Sequence, residues 1–166
     1  MAGLSIQTGT YLTLAGAAAA LITALAVEHG GGWAPCHLCV LARYPHGLAL
    51  ALAGVSLIVG HNRWLIALGA LAFLASAGIS AYHAGVEFGW IALPSGCVAG
   101  GPAESVEELR QMLLAQDEPS CDQAGPRFLG ISMALWNVLY SACLTLVVGW
   151  LAWRGPERSL NASAAM

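Results

Sequence analysis

Four long runs of apolar residues dominate the hydropathy pattern of the chain. They cover about residues 11–27, 40–59, 64–82 and 128–153, and polar positions are concentrated between them. An α-helix needs roughly 20 apolar residues to cross the hydrocarbon core of a bilayer. Backbone polar groups inside a bilayer must be satisfied within the segment, so such runs are helices. The pattern predicts an all-α membrane protein, a bundle of four transmembrane helices forming a single membrane domain over residues 1–166.

The composition supports this prediction and narrows the possible partners. Hydrophobic residues make up 58% of the chain and charged residues 9%, whereas an ordinary soluble domain is roughly one quarter charged. A soluble helical protein of this size would have too little polar surface to face water. The net charge of −3 argues against a nucleic-acid partner, which requires a basic face. No basic residue precedes the first apolar run, so we expect a retained helix there rather than a signal peptide.

Four spans would place the two longer loops on the same side of the membrane. These loops are residues 28–39 and 83–127, and both chain termini would lie on the other side. The six arginines divide evenly between the two sides, so the positive-inside rule gives only slight support to cytoplasmic termini. Within the longer loop, apolar residues recur at helical spacing over residues 103–116. This spacing predicts a short amphipathic helix between the third and fourth spans.

Cysteines are concentrated in these loops. Cys36 and Cys39 form a Cys-x-x-Cys unit at the start of the second span, and Cys97 and Cys121 lie in the longer loop. At a helix N-terminus, unpaired amides and the helix dipole favour a thiolate. Only the thiolate attacks a disulfide, so this position favours a reactive cysteine. Two cysteine pairs that lie on the same side and reach each other can form an exchange relay. The fifth cysteine, Cys143, is expected to be an apolar core residue of the fourth span.

Zinc binding and structural disulfides are the alternative interpretations of these cysteines. A closed zinc site requires four ligands, commonly two closely spaced pairs. Cys97 and Cys121 do not form such a pair, although His29 and His37 lie near the Cys-x-x-Cys unit; we therefore expect no metal. A disulfide within the Cys-x-x-Cys unit closes too small a loop to stabilise the fold much, which favours a redox role. By itself, the second pair is typical of a structural disulfide in an oxidising compartment.

Polar residues within or beside the spans are candidate ligands. Arg43 lies one helical turn after Cys39 on the same face. Its charge can stabilise a thiolate or hydrogen-bond a carbonyl oxygen of a bound ring, and the alternative is an arginine that snorkels to the interface. His46 can face the same ring or be a buried histidine with hydrogen-bond partners. His83 and Glu87 can bind a metal or relay protons, or they are interfacial polar residues.

The sequence around the cysteines resembles a known family. Residues 35–39, Pro-Cys-His-Leu-Cys, followed by Arg43, are similar to the quinone-side motif of the disulfide bond formation protein B (DsbB) family. Residues 82–97 are similar to that family's approach to its second cysteine pair, and residues 121–137 to its entry into the fourth helix. The resemblance covers about residues 10–150. The chain departs from some relatives in having a histidine between the first two cysteines and no acidic residue just before the arginine.

The resemblance implies a reaction, an electron acceptor and a location. The protein is expected to be a protein-dithiol:quinone oxidoreductase of the bacterial inner membrane, with cytoplasmic termini and periplasmic cysteine loops. Its expected partner is a periplasmic thioredoxin-fold dithiol oxidase, and its acceptor is ubiquinone or menaquinone. By the same resemblance, the partner attacks Cys97, Cys121 exchanges with the disulfide of the Cys-x-x-Cys unit, and Cys39 delivers the electrons. The predicted catalytic residues are Cys36, Cys39, Cys97 and Cys121, and the predicted quinone ligands are Arg43 and His46.

Two other functions are alternatives to this reaction. His46 and His83 can be axial ligands of a b-type haem, although a four-helix haem carrier does not require paired loop cysteines. The chain can also be a non-catalytic membrane scaffold whose cysteines form structural disulfides.

Overall fold

The helices and one small hairpin account for the regular structure of the described chain. The structure is a computed structural model that describes residues 2–94, 97, 105–107, 110, 119–123 and 125–154. Its described elements are α1 (Ala2–Leu25), a π-helical turn (Ala26–Gly30), α2 (His37–Leu41), α3 (Arg43–Val59), α4 (Arg63–Glu87), β1 (Arg127–Phe128), β2 (Ile131–Ser132) and α5 (Met133–Arg154).

Four helical segments of the described chain have the length and hydropathy needed to cross a membrane. They are Ile6–Gly30, His37–Val59, Arg63–Glu87 and Met133–Arg154. Large apolar side chains cover the outside of these segments, with Ile58 86% and Trp153 84% exposed. A soluble monomer rarely exposes apolar surface of this extent. The predicted four-helix membrane bundle is confirmed.

Several span boundaries differ from the prediction. The first span covers Ile6–Gly30 instead of residues 11–27, and the second begins at His37 instead of residue 40, so the loop between them is shorter than residues 28–39. The third span continues to Glu87 instead of ending at residue 82, so the following loop does not begin at residue 83. The fourth span begins at Met133 instead of residue 128, because β1 and β2 form an antiparallel hairpin before it. Its turn uses Leu129 and Gly130, both with positive φ, as tight hairpin turns require. Hydropathy alone does not reveal this hairpin, since its residues are also apolar.

The helices pack closely because small residues lie between them. α4 packs against α3 and α5, and α1 packs against the same two helices. A Cβ added at Gly69 of α4 would lie 2.9 Å from the Thr13 side chain of α1, so this crossing requires glycine. Phe73 and Val148 are fully buried in the central core. This packing is typical of helix association in lipid, where close backbone approach replaces the hydrophobic effect.

The amphipathic helix predicted over residues 103–116 lies largely outside the described residues. It therefore stays a prediction. Cys97 and Cys121, the cysteines on either side of it, are both described, so the second cysteine pair can be placed.

Candidate redox site at one end of the bundle

The Cys-x-x-Cys unit forms the beginning of the second span. Cys36 is the N-cap of α2, and its Sγ accepts a hydrogen bond from the backbone N–H of Cys39 at 3.4 Å. An N-cap side chain satisfies one of the amides that a helix leaves unpaired at its start. α2 is only one turn long and is followed by Ala42, after which α3 continues the span. The local fold therefore holds the first sulfur at an amide-rich helix start.

The two sulfurs of this unit lie side by side as free thiols. Their Sγ atoms are 2.8 Å apart, and Cys36 is only 4% exposed. The pKa of Cys36 is lowered, chiefly by the hydrogen bond from the Cys39 thiol and also by the hydrogen bond and charge of His83, against the opposing effect of burial. The structure thus favours a thiolate at Cys36, as the helix-start position predicts.

The second cysteine pair is joined and lies in the same buried cluster. Cys97 and Cys121 form a disulfide with a Cα–Cα distance of 5.2 Å. Both are buried together with Cys36, Leu38 and Val86. The loop is closed further by a hydrogen bond from the Cys121 N–H to the Cys97 carbonyl oxygen at 3.3 Å. All four cysteines predicted as catalytic are therefore brought to one end of the bundle.

His83 links the two pairs, and it was not among the predicted site residues. Its Nε2 lies 3.6 Å from the Cys36 Sγ and 3.6 Å from Glu87 Oε1. The imidazole also hydrogen-bonds the backbone of Cys121. His83 and Glu87 are both buried, with side chains 6% and 5% exposed. The four-residue spacing of His83 and Glu87 was the sequence signal for this pair. It places both side chains on one helix face only if α4 continues past residue 82.

Arg43 has a different partner from the one expected. Its Nη1 donates to Glu28 Oε2 at 2.5 Å, and both side chains are about one quarter exposed. Glu28 lies in the π-helical turn that ends the first span. The partner of Arg43 is thus a carboxylate rather than the Cys39 sulfur. Its role as a quinone ligand stays a prediction.

His46 lies inside the bundle, among hydroxyl and amide groups. Its Nε2 is 3.1 Å from Asn137 Oδ1 and 3.0 Å from Ser76 Oγ. The ring is tilted against Phe73. Within the described residues, His46 Nδ1 is buried without a hydrogen-bond partner. Only this second nitrogen is left for a ligand, and the predicted role of His46 in binding a quinone stays a prediction.

Cys143 is not in the core. It is a free cysteine exposed on the surface of α5, so the expectation of a buried apolar position was wrong. The helix turns this residue outward, where a small apolar thiol also fits a lipid-facing surface. It stands apart from the four clustered cysteines and provides a natural control for them.

Comparison with known proteins identifies the family. The model of the disulfide bond formation protein DsbB family matches residues 7–151. The chain is 31% identical over 134 residues to "Uncharacterized protein RP370" of Rickettsia prowazekii (strain Madrid E), covering 78% of each chain. No solved structure matches the chain. The family match extends over all four spans and both cysteine pairs, and the chain belongs to the DsbB family of disulfide bond formation proteins.

Proposed function

We propose that the protein oxidises the dithiol of a periplasmic thioredoxin-fold protein and passes the electrons through its two cysteine pairs to a membrane quinone. Its family membership indicates that the chain is a multi-pass membrane oxidoreductase that acts on disulfides. One observation supports the proposed transfer of electrons between the two cysteine pairs. The Cys97–Cys121 disulfide and Cys36 lie in the same buried cluster, which supports exchange between the two pairs.

The first step takes electrons from the partner. The partner's thiolate attacks the Cys97 sulfur, which breaks the Cys97–Cys121 bond and forms a mixed disulfide. The partner's second thiol then attacks its own sulfur in this mixed disulfide, so the partner leaves oxidised. Cys97 and Cys121 have then received two electrons and two protons. Attack at sulfur with a thiolate leaving group is the ordinary course of such exchange.

The second step moves the electrons inward. Cys121 attacks the Cys36 sulfur, which breaks the Cys36–Cys39 bond and forms a Cys36–Cys121 disulfide. Cys97 then attacks the Cys121 sulfur, which re-forms the Cys97–Cys121 bond and releases Cys36 as a thiolate. The product has an oxidised loop pair and two free thiols at the start of the second span, which is the arrangement of sulfurs described above. His83 supports this product because its imidazole contacts the Cys36 sulfur and favours the thiolate there.

The third step oxidises the inner pair. A bound ubiquinone or menaquinone would accept two electrons and two protons as the Cys36–Cys39 disulfide re-forms. Cys39 is the less buried sulfur of the pair, and apolar Leu41 and Tyr44 beside Arg43 are exposed on the outside of the bundle. A guanidinium has five N–H donors, so Arg43 can hold Glu28 and still donate to a carbonyl oxygen. These features fit an apolar ring that arrives from the lipid.

The contacts of the histidines favour this reaction over a b-type haem. His46 Nε2 already contacts Asn137 and Ser76, whereas His83 Nε2 contacts a cysteine sulfur. Each ring is therefore oriented by its own partners. A haem would require one nitrogen from each ring to coordinate the same iron.

A direct assay of quinone reduction tests the proposal. The full chain, purified in detergent, is mixed with ubiquinone and a reduced thioredoxin-fold dithiol protein, and the loss of quinone absorbance is followed. We expect loss that depends on the dithiol and that is absent in Cys39→Ser. The matched control is Cys143→Ser, which removes an exposed cysteine and should retain the rate. Failure of folded protein to reduce ubiquinone or menaquinone would contradict the proposal.

A further inference from the structure

The cysteine end of the bundle also holds the donor set of a metal site. The Sγ atoms of Cys36 and Cys39 and the Nε2 of His83 lie within 4.8 Å of one another. We propose that the reduced protein binds one Zn²⁺ ion through these three atoms, with the fourth position next to the Glu87 carboxylate. The histidines near the pair in sequence are His29 and His37, but the fold supplies the third ligand, His83, from α4.

The spacing of the three atoms fits tetrahedral zinc after a small adjustment. With Zn–S near 2.3 Å and Zn–N near 2.05 Å, a tetrahedral site places sulfur and nitrogen about 3.6 Å apart and two sulfurs about 3.8 Å apart. The distance from His83 Nε2 to the Cys36 Sγ is 3.6 Å, so these two ligands are already at the required separation. The Cys36 and Cys39 sulfurs, at 2.8 Å, must separate by about 1 Å, which a small rotation of the Cys39 side chain supplies.

The chemistry and surroundings of the donors also suit this ion. Zinc is bound well by thiolates together with imidazole. Two thiolates balance the charge of Zn²⁺, as a buried site requires. A metal-binding histidine is commonly oriented by a second hydrogen bond to a carboxylate or the backbone. The His83 imidazole has such a partner, because it hydrogen-bonds the backbone of Cys121. Glu87 Oε1 lies 3.6 Å from Nε2, the ligating nitrogen, and so borders the metal position.

Binding of this kind would depend on the redox state of the pair. Zn²⁺ replaces the thiol protons of Cys36 and Cys39 and moves no electrons, since it has no redox chemistry of its own. When the two sulfurs are joined, neither is a thiolate, so the disulfide form has only His83 left as a ligand. Zinc would therefore hold the pair reduced and stop its reoxidation. This inhibitory consequence rests on the proposed function, whereas zinc binding itself does not.

Cobalt titration of the full chain in detergent tests the site. Co²⁺ serves as the probe, because it takes tetrahedral thiolate sites and gives a thiolate-to-metal charge-transfer band. The reduced protein should bind one Co²⁺ per chain, Zn²⁺ should displace it, and the oxidised protein should show no band. Cys36→Ser and Cys39→Ser should lose the band. Cys143→Ser and His61→Ala, which change a surface cysteine and a histidine of the distant turn, should keep it.

His83 provides the decisive variants. Changing a residue that only orients a ligand costs 10–100-fold in metal affinity, so His83→Ala should weaken Co²⁺ binding by at least about tenfold. His83→Cys replaces the imidazole by a third sulfur and should keep the band with a stronger charge-transfer component. Circular dichroism shows whether both variants are folded. Unchanged affinity in folded His83→Ala, or loss of the band in folded His83→Cys, would overturn the proposal, as would a band that requires Cys143.

A quinone assay separates this proposal from the proposed function. Zn²⁺ at saturating occupancy should slow dithiol-dependent quinone reduction in the wild-type protein, and a chelator should restore it. Quinone reduction without a cobalt band would overturn the metal site and leave the proposed function standing. A cobalt band in protein that reduces no quinone would do the reverse.

Discussion

The bundle buries polar side chains both at the turn between α3 and α4 and at the cysteine end, but the two groups have different partners. At the turn, Ser56 Oγ lies 3.2 Å from Thr10 Oγ1 and accepts the backbone N–H of Asn62 at 3.1 Å. His61 Nδ1 lies 3.2 Å from the same Thr10 hydroxyl. These contacts tie α1 to the turn and satisfy polar groups that lipid cannot.

At the cysteine end, the polar partners are reactive atoms. His83 faces a cysteine sulfur and a carboxylate, and the neighbouring loop is held by a disulfide. The two regions show that a hydrogen-bonded histidine in a membrane bundle is not by itself a functional signal. What separates His83 from His61 is the chemistry of the atom that each ring contacts.

The largest expected effect comes from breaking the loop pair. Cys121→Ser removes the sulfur that we propose exchanges with the inner pair, so dithiol-dependent quinone reduction should fall to the rate without protein. The same assay on Cys143→Ser should give the wild-type rate. Substantial turnover in Cys121→Ser would mean that the partner reduces the inner pair directly.

The next effect concerns the pH range in which Cys36 is a thiolate. Its lowered pKa predicts that thiolate absorbance of the reduced protein persists as the pH falls from 8 to 6, whereas denatured protein loses it below the ordinary thiol pKa of about 8.5. A depressed pKa stabilises the folded, reduced protein above the unfolded pKa, and this contribution is lost as pH falls through the folded value.

His83→Ala should narrow that range, because the imidazole hydrogen bond favours the thiolate. Each unit by which the Cys36 pKa rises reduces its thiolate about tenfold at a pH below that pKa. A titration of thiolate absorbance measures the change, with His61→Ala as the matched control at the other end of the bundle. Equal curves for the wild type and His83→Ala would show that the Cys39 thiol alone sets the pKa of Cys36.

A smaller effect is expected at Arg43. Arg43→Ala removes the donor that we propose for a quinone carbonyl and should raise the KM for quinone several-fold, to the extent of about 1 kcal/mol for one hydrogen bond, with a smaller change in kcat. Glu28→Gln keeps the arginine and weakens only a partly exposed ion pair, so its effect should be slight. Steady-state kinetics with varied quinone gives both values. A larger KM change in Glu28→Gln than in Arg43→Ala would reverse their assigned roles.

The smallest effect on activity is expected at the turn. Ser56→Ala leaves the Asn62 N–H without its hydrogen-bond partner and removes one of the contacts of Thr10 Oγ1, which should lower the free energy of unfolding by about 1–3 kcal/mol. The rate of quinone reduction per folded molecule should be unchanged. Thermal unfolding in detergent and the quinone assay measure the two quantities. If Ser56→Ala instead lowered the rate of quinone reduction and left the stability unchanged, the turn would have a functional role like that of the cysteine end.

The hydropathy pattern is sufficient to predict the four spans, because lipid imposes their length and helicity. The cysteine pairs are also visible, since their spacing and loop positions are local properties of the sequence. The end of the third span was less predictable. His83 and Glu87 look like loop residues by polarity, and α4 includes them because their side chains are buried against the cysteine loops.

Contacts between residues that are far apart in the chain could not be predicted from the sequence. Nothing in the local pattern around Arg43 indicates that its partner is Glu28, fifteen positions earlier. Likewise, the contact between His83 and Cys36 joins positions 47 apart and exists only when α4 packs beside α2. The hairpin at Phe128 to Ile131 was missed because its apolar residues match the helix pattern that follows.

Trapping a bond between the two pairs tests the central claim most directly. A variant with Cys39→Ser, Cys97→Ser and Cys143→Ser retains only Cys36 and Cys121, one sulfur from each pair. After mild oxidation with oxidised glutathione, mass spectrometry of non-reduced peptides measures which cysteines are joined. We expect an intramolecular Cys36–Cys121 disulfide, since exchange requires these sulfurs to reach bonding distance. Folded protein that forms only glutathione adducts or links between chains would contradict it.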